Sequence, residues 1–301
     1  MQIIKPEYTN DATLLSTNVS ESDYLPYNAA TSYAINDTVI YVRNNIHWVI
    51  RSLVASNVGN TPTGLTTDTK WVKVSDTNRW KMFDLKTTSQ TFNQDSIAVT
   101  LVGVSQNDSL ALLNFDAASL TLVVKDQYGE TIYSLTKALI STAGIYDPYT
   151  YFFSSLVKLT DLVLTDLPPY ALATYSVTLN SVGAIVKCGT LLIGKLIDVG
   201  STQYGMKIGI SDYSVKAANE FGDFIITERA YSKNISLSAY VEKIQQDNLV
   251  NFLNTMRATP VVWIGAAEYT SSFIYGFYID YAAIVDYFTH SKFDIEIEGL
   301  S

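Results

Sequence analysis

The chain has 301 residues, 48% of them hydrophobic, and its 20 basic and 29 acidic side chains give a formal net charge of −9. The apolar content predicts packed globular structure rather than disorder, and the length predicts two or three domains. Lys and Arg form no cluster along the chain. This argues against sequence-specific binding to nucleic acid, because a phosphate backbone requires several cations on one face.

Residue usage favours strands over helices. The chain contains 21 Tyr and is rich in Thr, Ser, Val and Ile, whereas it has 2 His and 1 Cys. β-Branched and aromatic residues fit a pleated sheet, so the chain is predicted to be mainly β and multidomain. Cys188 lies in an apolar run and is expected to be a buried, inert thiol. No apolar run reaches the roughly 18 residues of a membrane span, and the first residues lack the pattern of a signal peptide.

Residues 1–22 are polar and show little periodicity. They predict an N-terminal arm, a kind of segment that often becomes ordered only against a partner. We therefore expect this arm to contribute to contacts between subunits.

Residues 23–76 predict a small β domain. Strands are expected at 38–42, 46–55 and 70–74. The loop between the last two is dense in turn-forming residues, namely Asn57, Gly59, Asn60, Pro62 and Gly64. A domain of this size buries little apolar area, so its stability depends on its aromatic residues or on its neighbours.

Aromatic residues recur at a regular spacing in this small domain. The run Tyr33-Ala-Ile-Asn-Asp-Thr-Val-Ile-Tyr41 is followed by Trp48, by Gly59-Asn-Thr-Pro62 and by Trp71. The order resembles the chitin-binding type of carbohydrate-binding module, with Asn36 where glycine is usual; asparagine tolerates the left-handed turn conformation. The resemblance implies stacking of sugar rings on Tyr27, Tyr41, Trp48 and Trp71. The alternative is that these side chains form a miniature core.

Residues 77–195 predict a jelly-roll-like β-sandwich, because short β-type runs alternate with turn residues. The runs are 97–104, 109–115, 120–124, 131–134, 172–179 and 185–193. An aromatic insertion, Ile145-Tyr-Asp-Pro-Tyr-Thr-Tyr-Phe-Phe153, interrupts them. It is either a loop folded over the sandwich edge or a contact surface for another subunit, because exposed Tyr and Phe anchor interfaces. In the second case the contact residues are Tyr146, Tyr149, Tyr151, Phe152 and Phe153.

Residues 196–301 predict an α+β domain. Strands are expected at 205–211, 222–229, 261–266, 274–281 and 293–299. Helical periodicity occurs at 239–257, and Pro260 ends the helix. Its apolar face would contain Val241, Ile244, Leu249, Phe252, Leu253 and Met256. The last strand alternates apolar residues with Asp294, Glu296 and Glu298, which predicts one buried face and one solvated acidic face.

Side chains suited to catalysis are sparse. His47 and His290 lie far apart in the sequence, and neither has partners at metal-ligand spacing. Both are expected to be surface, packing or loop residues. Cys188 has no histidine close in sequence, and no Gly-x-Ser-x-Gly motif occurs. No metal or cofactor is therefore expected, and the chain is predicted not to be an enzyme.

Two weaker patterns suggest other chemistry. The segment 189–195 formally fits the phosphate-binding pattern Gly-x-x-x-x-Gly-Lys, but its inner residues are apolar and Leu196 stands where Ser or Thr belongs, so a strand is expected. A pair of carboxylates could cleave a glycosidic bond if held at the right separation. Glu268, Asp280 and Asp286 are the candidates for such a glycan depolymerase, with solvated strand and loop faces as the alternative.

The order of parts resembles virion proteins of tailed bacteriophages, of the tail or baseplate type. The cues are the polar arm, the carbohydrate-module-like domain, the phrase Asn78-Arg-Trp-Lys-Met-Phe-Asp84, the β-sandwich and the α+β domain. The resemblance implies a non-enzymatic structural subunit that acts through β-rich protein–protein interfaces. It also implies a symmetric homo-oligomer with other virion proteins as partners, located in the virion after synthesis in the host cytoplasm. The alternative is a receptor-binding protein that attaches to a host cell-surface glycan through the small domain.

Overall fold

The computed structural model describes residues 1–64, 66–141, 145–153, 157–218, 223–285 and 287–300. Of these residues, 53% lie in strands and 9% in helices. The prediction of a mainly β, multidomain fold with one main helix is therefore confirmed. Within the described ranges, none of the helices combines the length and the apolar character needed to cross a membrane.

Among its described residues, the N-terminal quarter contains five strands. β1 (Gln2–Glu7) and β2 (Leu14–Thr17) precede a separate antiparallel sheet of β3 (Thr38–Arg43), β4 (Ile46–Ser52) and β5 (Trp71–Asp76). Asn44 and Asn45, with φ of 51° and 60°, form the two-residue turn between β3 and β4. Asparagine suits this turn because it tolerates the left-handed conformation. Asn36 also adopts that conformation, with φ of 72°.

The middle of the chain is dominated by strands. After a 3₁₀ turn (Lys81–Phe83), its elements in chain order are β6 (Thr91–Val102), β7 (Ser109–Asp116), β8 (Ser119–Lys125), β9 (Thr131–Ala138), β10 (Ile140–Ser141), α1 (Pro148–Phe153), β11 (Val157–Lys158), β12 (Leu162–Leu164) and β13 (Thr174–Asp198).

β13 organises this region because it is 25 residues long. In its first half, buried Tyr175, Val177 and Leu179 alternate with polar residues, and the strand pairs with β6 and β8. Its second half pairs with β7. The ladder with β6 shifts register between Asn180 and Ile185, and such a bulge bends a strand. Both halves contribute apolar side chains to one buried core.

The C-terminal region contains the main helix. Its elements are β14 (Ser201–Thr202), β15 (Lys207–Asp212), β16 (Val215–Ala218), β17 (Phe224–Thr227), β18 (Tyr231–Glu242), α2 (Lys243–Thr255), β19 (Val261–Ile264), a 3₁₀ turn (Thr270–Ser272), β20 (Phe273–Ile284) and β21 (His290–Gly299). The strand predicted at 222–229 corresponds to β17, and residue 222 lies outside the described residues. On β21, apolar Phe293, Ile295 and Ile297 are buried while the acidic residues between them are less so, as predicted.

The predicted helix at 239–257 begins later than expected. Residues 239–242 belong to β18, because Ala239 and Val241 continue the alternation of buried positions in that strand. On α2 itself, Leu249 and Leu253 are buried, whereas Ile244 is 82% exposed. Ile244 therefore does not belong to the apolar face predicted for it.

The segment for which the sequence predicts an arm is built into the largest sheet of the described residues. This sheet, which we call the main sheet, has the strand path β12-β7-β13-β1-β19-β20-β21-β18-β14, with further strands paired at its sides. β1 pairs with β13 on one side and with β19 on the other. Ile3 and Ile4 are fully buried and contribute to different apolar clusters. Because the segment as a whole is polar, these two apolar residues do not suffice to predict a buried strand from the sequence. One sheet thus continues across residues 195 and 196, and the division of the chain into domains stays a prediction.

Candidate functional site

The small sheet brings its aromatic residues to one face. In the register of β3 and β4, Tyr41 lies opposite Trp48 and Val39 lies opposite Ile50. Residues that face each other across an antiparallel pair point to the same side of the sheet. Trp71, opposite Ser52 on β5, shares that side. We call this set the aromatic cluster; its members are Tyr27, Tyr33, Tyr41, Trp48 and Trp71.

Trp71 is the centre of the small domain's core. It is 3% exposed and packs edge-on against Tyr27 and Tyr33, with ring centroids 5.6 and 5.3 Å away. Its Nε1 donates a hydrogen bond of 2.8 Å to the carbonyl oxygen of Asn60, which also accepts one from the Tyr27 hydroxyl at 3.0 Å. The Trp71 ring therefore has no open face for a ligand, and its geometry matches the alternative of a miniature core.

Trp48 has a different environment, because it is only partly buried. Lys73 Nζ lies 4.6 Å and Arg43 Cζ 5.7 Å from the centroid of its ring. The loop before β5 passes close by: a Cβ added to Gly64, at φ 65°, would lie 2.1 Å from Trp48 Cζ3. One end of the indole is thus covered by backbone.

The partly exposed rings are the ones that could contact a ligand. Tyr27, Tyr41 and Trp48 are each partly buried, and the Tyr27 and Tyr41 centroids lie 5.8 Å apart. A sugar ring could stack on an aromatic face of this kind while neighbouring polar groups bond its hydroxyls. Lys73, the nearer of the two cations beside Trp48, is ion-paired with Asp76, with Nζ 2.8 Å from Oδ1, so its charge is partly balanced.

A polar network that the sequence did not predict joins the small domain to the rest of the chain. His47 Nδ1 lies 2.8 Å from Glu21 Oε2, and His47 Nε2 lies 3.1 Å from Asp11 Oδ2. Glu21 Oε1 also accepts a hydrogen bond of 2.6 Å from the Thr77 hydroxyl. The His47 ring packs on Trp80, with centroids 5.4 Å apart. These contacts hold the two regions together, so His47 is a packing residue of the junction.

The aromatic insertion forms a short exposed helix. Asp147 accepts hydrogen bonds from the Thr150 backbone and hydroxyl at 2.6 and 2.8 Å, and these bonds hold the pKa of its carboxyl below the usual value. Asp147 therefore begins the helix, followed by Pro148 at its first position. Its large side chains are between 68% and 82% exposed: Tyr146, Tyr149, Tyr151, Phe152 and Phe153. We call this set the aromatic helix.

The side chains of the aromatic helix contact one another rather than a core. Tyr149 and Phe153 have centroids 4.8 Å apart, and Tyr151 and Phe152 lie 5.2 Å apart. Because each ring keeps most of its surface in water, the insertion does not bury its aromatic side chains against the sandwich.

A second exposed apolar surface lies on the hairpin of β16 and β17, where every residue is exposed. Phe224 is 73%, Ile225 60% and Ile226 67% exposed. The sequence predicts a strand here, yet nothing in its pattern indicates that both faces reach solvent. We call β16 and β17 the ribbon tip.

A cavity of about 240 Å³ is lined by both polar and apolar residues of the middle of the chain and of the C-terminal region. Within its lining, Lys233 Nζ lies 3.0 Å from Asp161 Oδ2, and the other Asp161 oxygen accepts a hydrogen bond from the Asn114 backbone at 2.9 Å. Burial raises the pKa of the nearby Tyr275 hydroxyl above its ordinary value. Asp161, Lys233 and Asn114 satisfy one another, so this network connects the two regions.

The candidates for other chemistry are dispersed. Cys188 is buried, as predicted, and burial raises the pKa of its thiol to about 12. His290 begins β21 and stacks on Tyr287 at 4.5 Å. Asp280 lies opposite Glu296 in the ladder of β20 and β21, and Asp286 lies outside the described residues. Among the residues that are described, no group of three or more His, Cys, Asp or Glu is placed to hold a metal ion.

No protein-family model matches the chain, and no curated protein matches it either. The resemblances to a chitin-binding module and to tail proteins of bacteriophages therefore stay predictions.

Proposed function

We propose that this chain is a non-enzymatic structural subunit of a bacteriophage tail or tail-associated assembly, acting through β-rich protein–protein interfaces. The observation that carries the proposal is the aromatic helix, whose five rings are each at least 68% exposed. Soluble monomers rarely expose contiguous apolar patches of more than a few hundred Å². Isolated helices shorter than about 12 residues are also marginal in water, so a six-residue helix gains stability when a partner covers it.

The composition agrees with this proposal. The chain is acidic, contains a single cysteine and is rich in tyrosine, and tyrosine is enriched in protein interfaces. The partners would be other virion proteins and further copies of this chain in a symmetric oligomer. The protein would be made in the host cytoplasm and then incorporated into the virion.

The test is the protein content of purified virions that encode this chain. We expect mass spectrometry and antibody labelling to find the chain in intact particles, at a copy number that matches the symmetry of one tail substructure. An abundant host protein measured in the same preparation controls for carry-over. A chain that is expressed during infection but missing from washed particles contradicts the proposal.

The small domain supports a second candidate, attachment to a host cell-surface glycan. The observation in its favour is the partly exposed Trp48, which shares a sheet face with Tyr41 and has Lys73 beside its ring. Binding of the purified chain to a panel of bacterial surface glycans tests this candidate. Loss of binding in Trp48→Ala, with folding retained, would support it; absence of binding across the panel would remove it.

A further inference from the structure

The ribbon tip is the outer half of a longer two-stranded ribbon. β15 and β18 pair from Lys207–Ser236 to Asp212–Tyr231, and β16 and β17 continue the same antiparallel course beyond them. β18 pairs on its other side with β21 and so belongs to the main sheet. In contrast, β16 and β17 form a sheet of two strands.

The base of the ribbon is fixed. The Tyr213 hydroxyl donates a hydrogen bond of 2.7 Å to Glu298 Oε1 on β21, and Lys216 Nζ lies 2.8 Å from Asp212 Oδ2. The Arg229 backbone N–H donates to the Ser214 hydroxyl at 3.1 Å. Because these contacts lie where the two halves of the ribbon meet, the tip is held in a defined direction before any partner binds.

Both faces of the tip carry exposed apolar side chains. The register places Phe224 opposite Ala218 and Ile226 opposite Lys216, whereas Ile225 lies opposite Ala217 on the other face. A two-stranded hairpin alone is at best marginally stable in water. A tip with exposed apolar side chains is therefore expected to gain stability when a partner surface covers them.

We infer that the ribbon tip docks against the aromatic helix of a second copy of this chain; this inference rests on the proposed function. From the usual area of such side chains and their exposed fractions, the tip offers roughly 400 Å² of apolar surface and the aromatic helix about 700 Å². A standard protein interface buries about 1,600 Å², of which a little over half is apolar. The two surfaces together therefore supply the apolar part of one interface of standard size.

A second copy is the occupant that accounts for both surfaces. A heterologous contact requires two different complementary patches on the same chain, and the tip and the aromatic helix are two different apolar patches among the described residues. A contact in which the tip of one copy meets the helix of the next repeats from subunit to subunit. It therefore produces a ring if the rotation closes and a filament if it does not.

The experiment is sedimentation velocity over a range of concentrations, with one Asp substitution on each face of the tip and one on the helix: Ile226→Asp, Ile225→Asp and Phe152→Asp. Val182→Asp is the matched control, since Val182 is 92% exposed and lies on neither surface. We expect the wild type and the control to associate alike. Each test variant should associate at least about tenfold more weakly, as expected for a charge placed in an apolar interface centre. Circular dichroism should stay unchanged, because none of these side chains lies in a core.

Mixing the variants tests the pairing itself. Ile226→Asp retains an intact aromatic helix and Phe152→Asp retains an intact tip, so an equimolar mixture should form a 1:1 dimer that grows no further. A mixture that stays monomeric while the wild type associates overturns the docking of tip on helix. A wild type that stays monomeric at every concentration overturns it as well. Detection of the chain in virions bears on the proposed function separately, because a chain can be present there and still fail this test.

Discussion

Trp48 and Trp71 share one face of the small sheet, yet their surroundings differ. Trp71 is enclosed by Tyr27 and Tyr33 and uses its indole N–H to hold the loop at Asn60. Trp48 is partly exposed and has cations near its ring. The first environment stabilises the domain, and the second leaves a surface for recognition. The sequence marks both residues as candidates for sugar stacking, although the resemblance implies that a closing tryptophan such as Trp71 is often structural. The actual burial depends on which loop covers each ring.

We expect Trp71→Ala to unfold or loosen the small domain. Removal of a fully buried tryptophan costs about 3–5 kcal/mol, whereas Trp48→Ala at a partly exposed site should cost about 1 kcal/mol. Hydrogen exchange of β3–β5 in the whole chain measures the difference, with the amides of β13 as an internal reference. Equal loss of protection in the two variants would contradict the assignment of Trp71 to the core and Trp48 to the surface.

Asp84 makes stability depend on pH. Burial raises the pKa of its carboxyl from 3.8 to about 6, in spite of hydrogen bonds from Ser89 and Lys86. Between these two pH values the folded chain retains a proton that the unfolded chain has lost. The contribution to stability is thus complete below pH of about 4 and is lost as pH rises through about 6.

Replacement of Asp84 by Asn should remove this dependence. We expect Asp84→Asn to be more stable than the wild type at pH 7, by about 1 kcal/mol after allowance for the partial exposure of the carboxyl. Below pH 4 the two chains should differ little. Urea unfolding between pH 4 and 8 measures this, and Asp166→Asn, at an exposed carboxylate, is the matched control. A wild-type curve parallel to that of Asp84→Asn would contradict the prediction.

At the scale of elements, β1 bears on whether the N-terminal segment is a free arm or a strand of the fold. Its ladder to β13 is close: a Cβ on Gly194 would lie 2.2 Å from the carbonyl oxygen of Lys5. Ile4 is fully buried beside Val262 and Tyr275 in one cluster, and Ile3 enters another. An arm that becomes ordered only against a partner would be free in the isolated chain, whereas β1 contributes to its stability.

We therefore expect Ile4→Ala to destabilise the isolated chain. Loss of a buried isoleucine side chain beyond Cβ costs about 2–5 kcal/mol. Leu15→Ala is the control from the same predicted arm; Leu15 is 56% exposed, and a surface substitution of this kind changes stability by about 0.5 kcal/mol or less. Urea unfolding at equal protein concentration compares them. If Ile4→Ala matched the control, β1 would behave as a free arm in solution.

Strands in which apolar and polar residues alternate clearly can be predicted from the sequence. Whether two such runs form one continuous strand cannot be predicted in this way. The buried and solvated faces of β21 follow directly from its period of two. The continuity of β13 does not follow from the sequence, because a glycine at position 183 predicts a turn between two strands. In the structure Gly183 has φ 79° and lies within the strand. The ladder to β6 resumes after the bulge and keeps both halves in one strand. The sequence predicts a helix at the end of β18 because Val241 fits both the helical and the strand period, whereas pairing with β21 makes this segment a strand.

At the scale of the whole molecule, the candidate surfaces depend on which elements pack against one another, and the sequence does not reveal this packing. The aromatic composition of the insertion is visible in the sequence, but it is compatible with a covered loop and with a contact surface. Exposure of its rings depends on whether another element packs on α1. The contacts of His47 were equally hidden, since Asp11 and Glu21 reach it from a segment that pairs elsewhere in the fold.

Glu21 lies at the junction between the small domain and the rest of the chain, which we call the body, and we expect its contacts to hold the two together. Glu21 accepts a hydrogen bond from Thr77 and lies within 3.7 Å of Arg79 as well as beside His47. Glu21→Ala would remove the acceptor of the buried Thr77 hydroxyl and the partner of His47 Nδ1, whereas His47 Nε2 keeps Asp11 and Arg79 Nε keeps the Val19 carbonyl. We expect a cost of about 1–3 kcal/mol for the junction. Core packing in the two regions does not depend on this carboxylate. We therefore expect local loosening and not global unfolding.

Limited proteolysis and small-angle scattering of Glu21→Ala measure that loosening. Cleavage between residues 76 and 90 should become faster and the radius of gyration should rise, while the melting of the β13 core stays unchanged. Glu130→Ala is the matched control, because Glu130 is an exposed glutamate on the β8–β9 hairpin. If Glu21→Ala lowered the melting temperature of the core instead, the network would belong to the folding unit of the body. If neither cleavage nor shape changed, the small domain would be held by other contacts, such as the hydrogen bond from the Asn78 backbone to Asp23 at 2.6 Å.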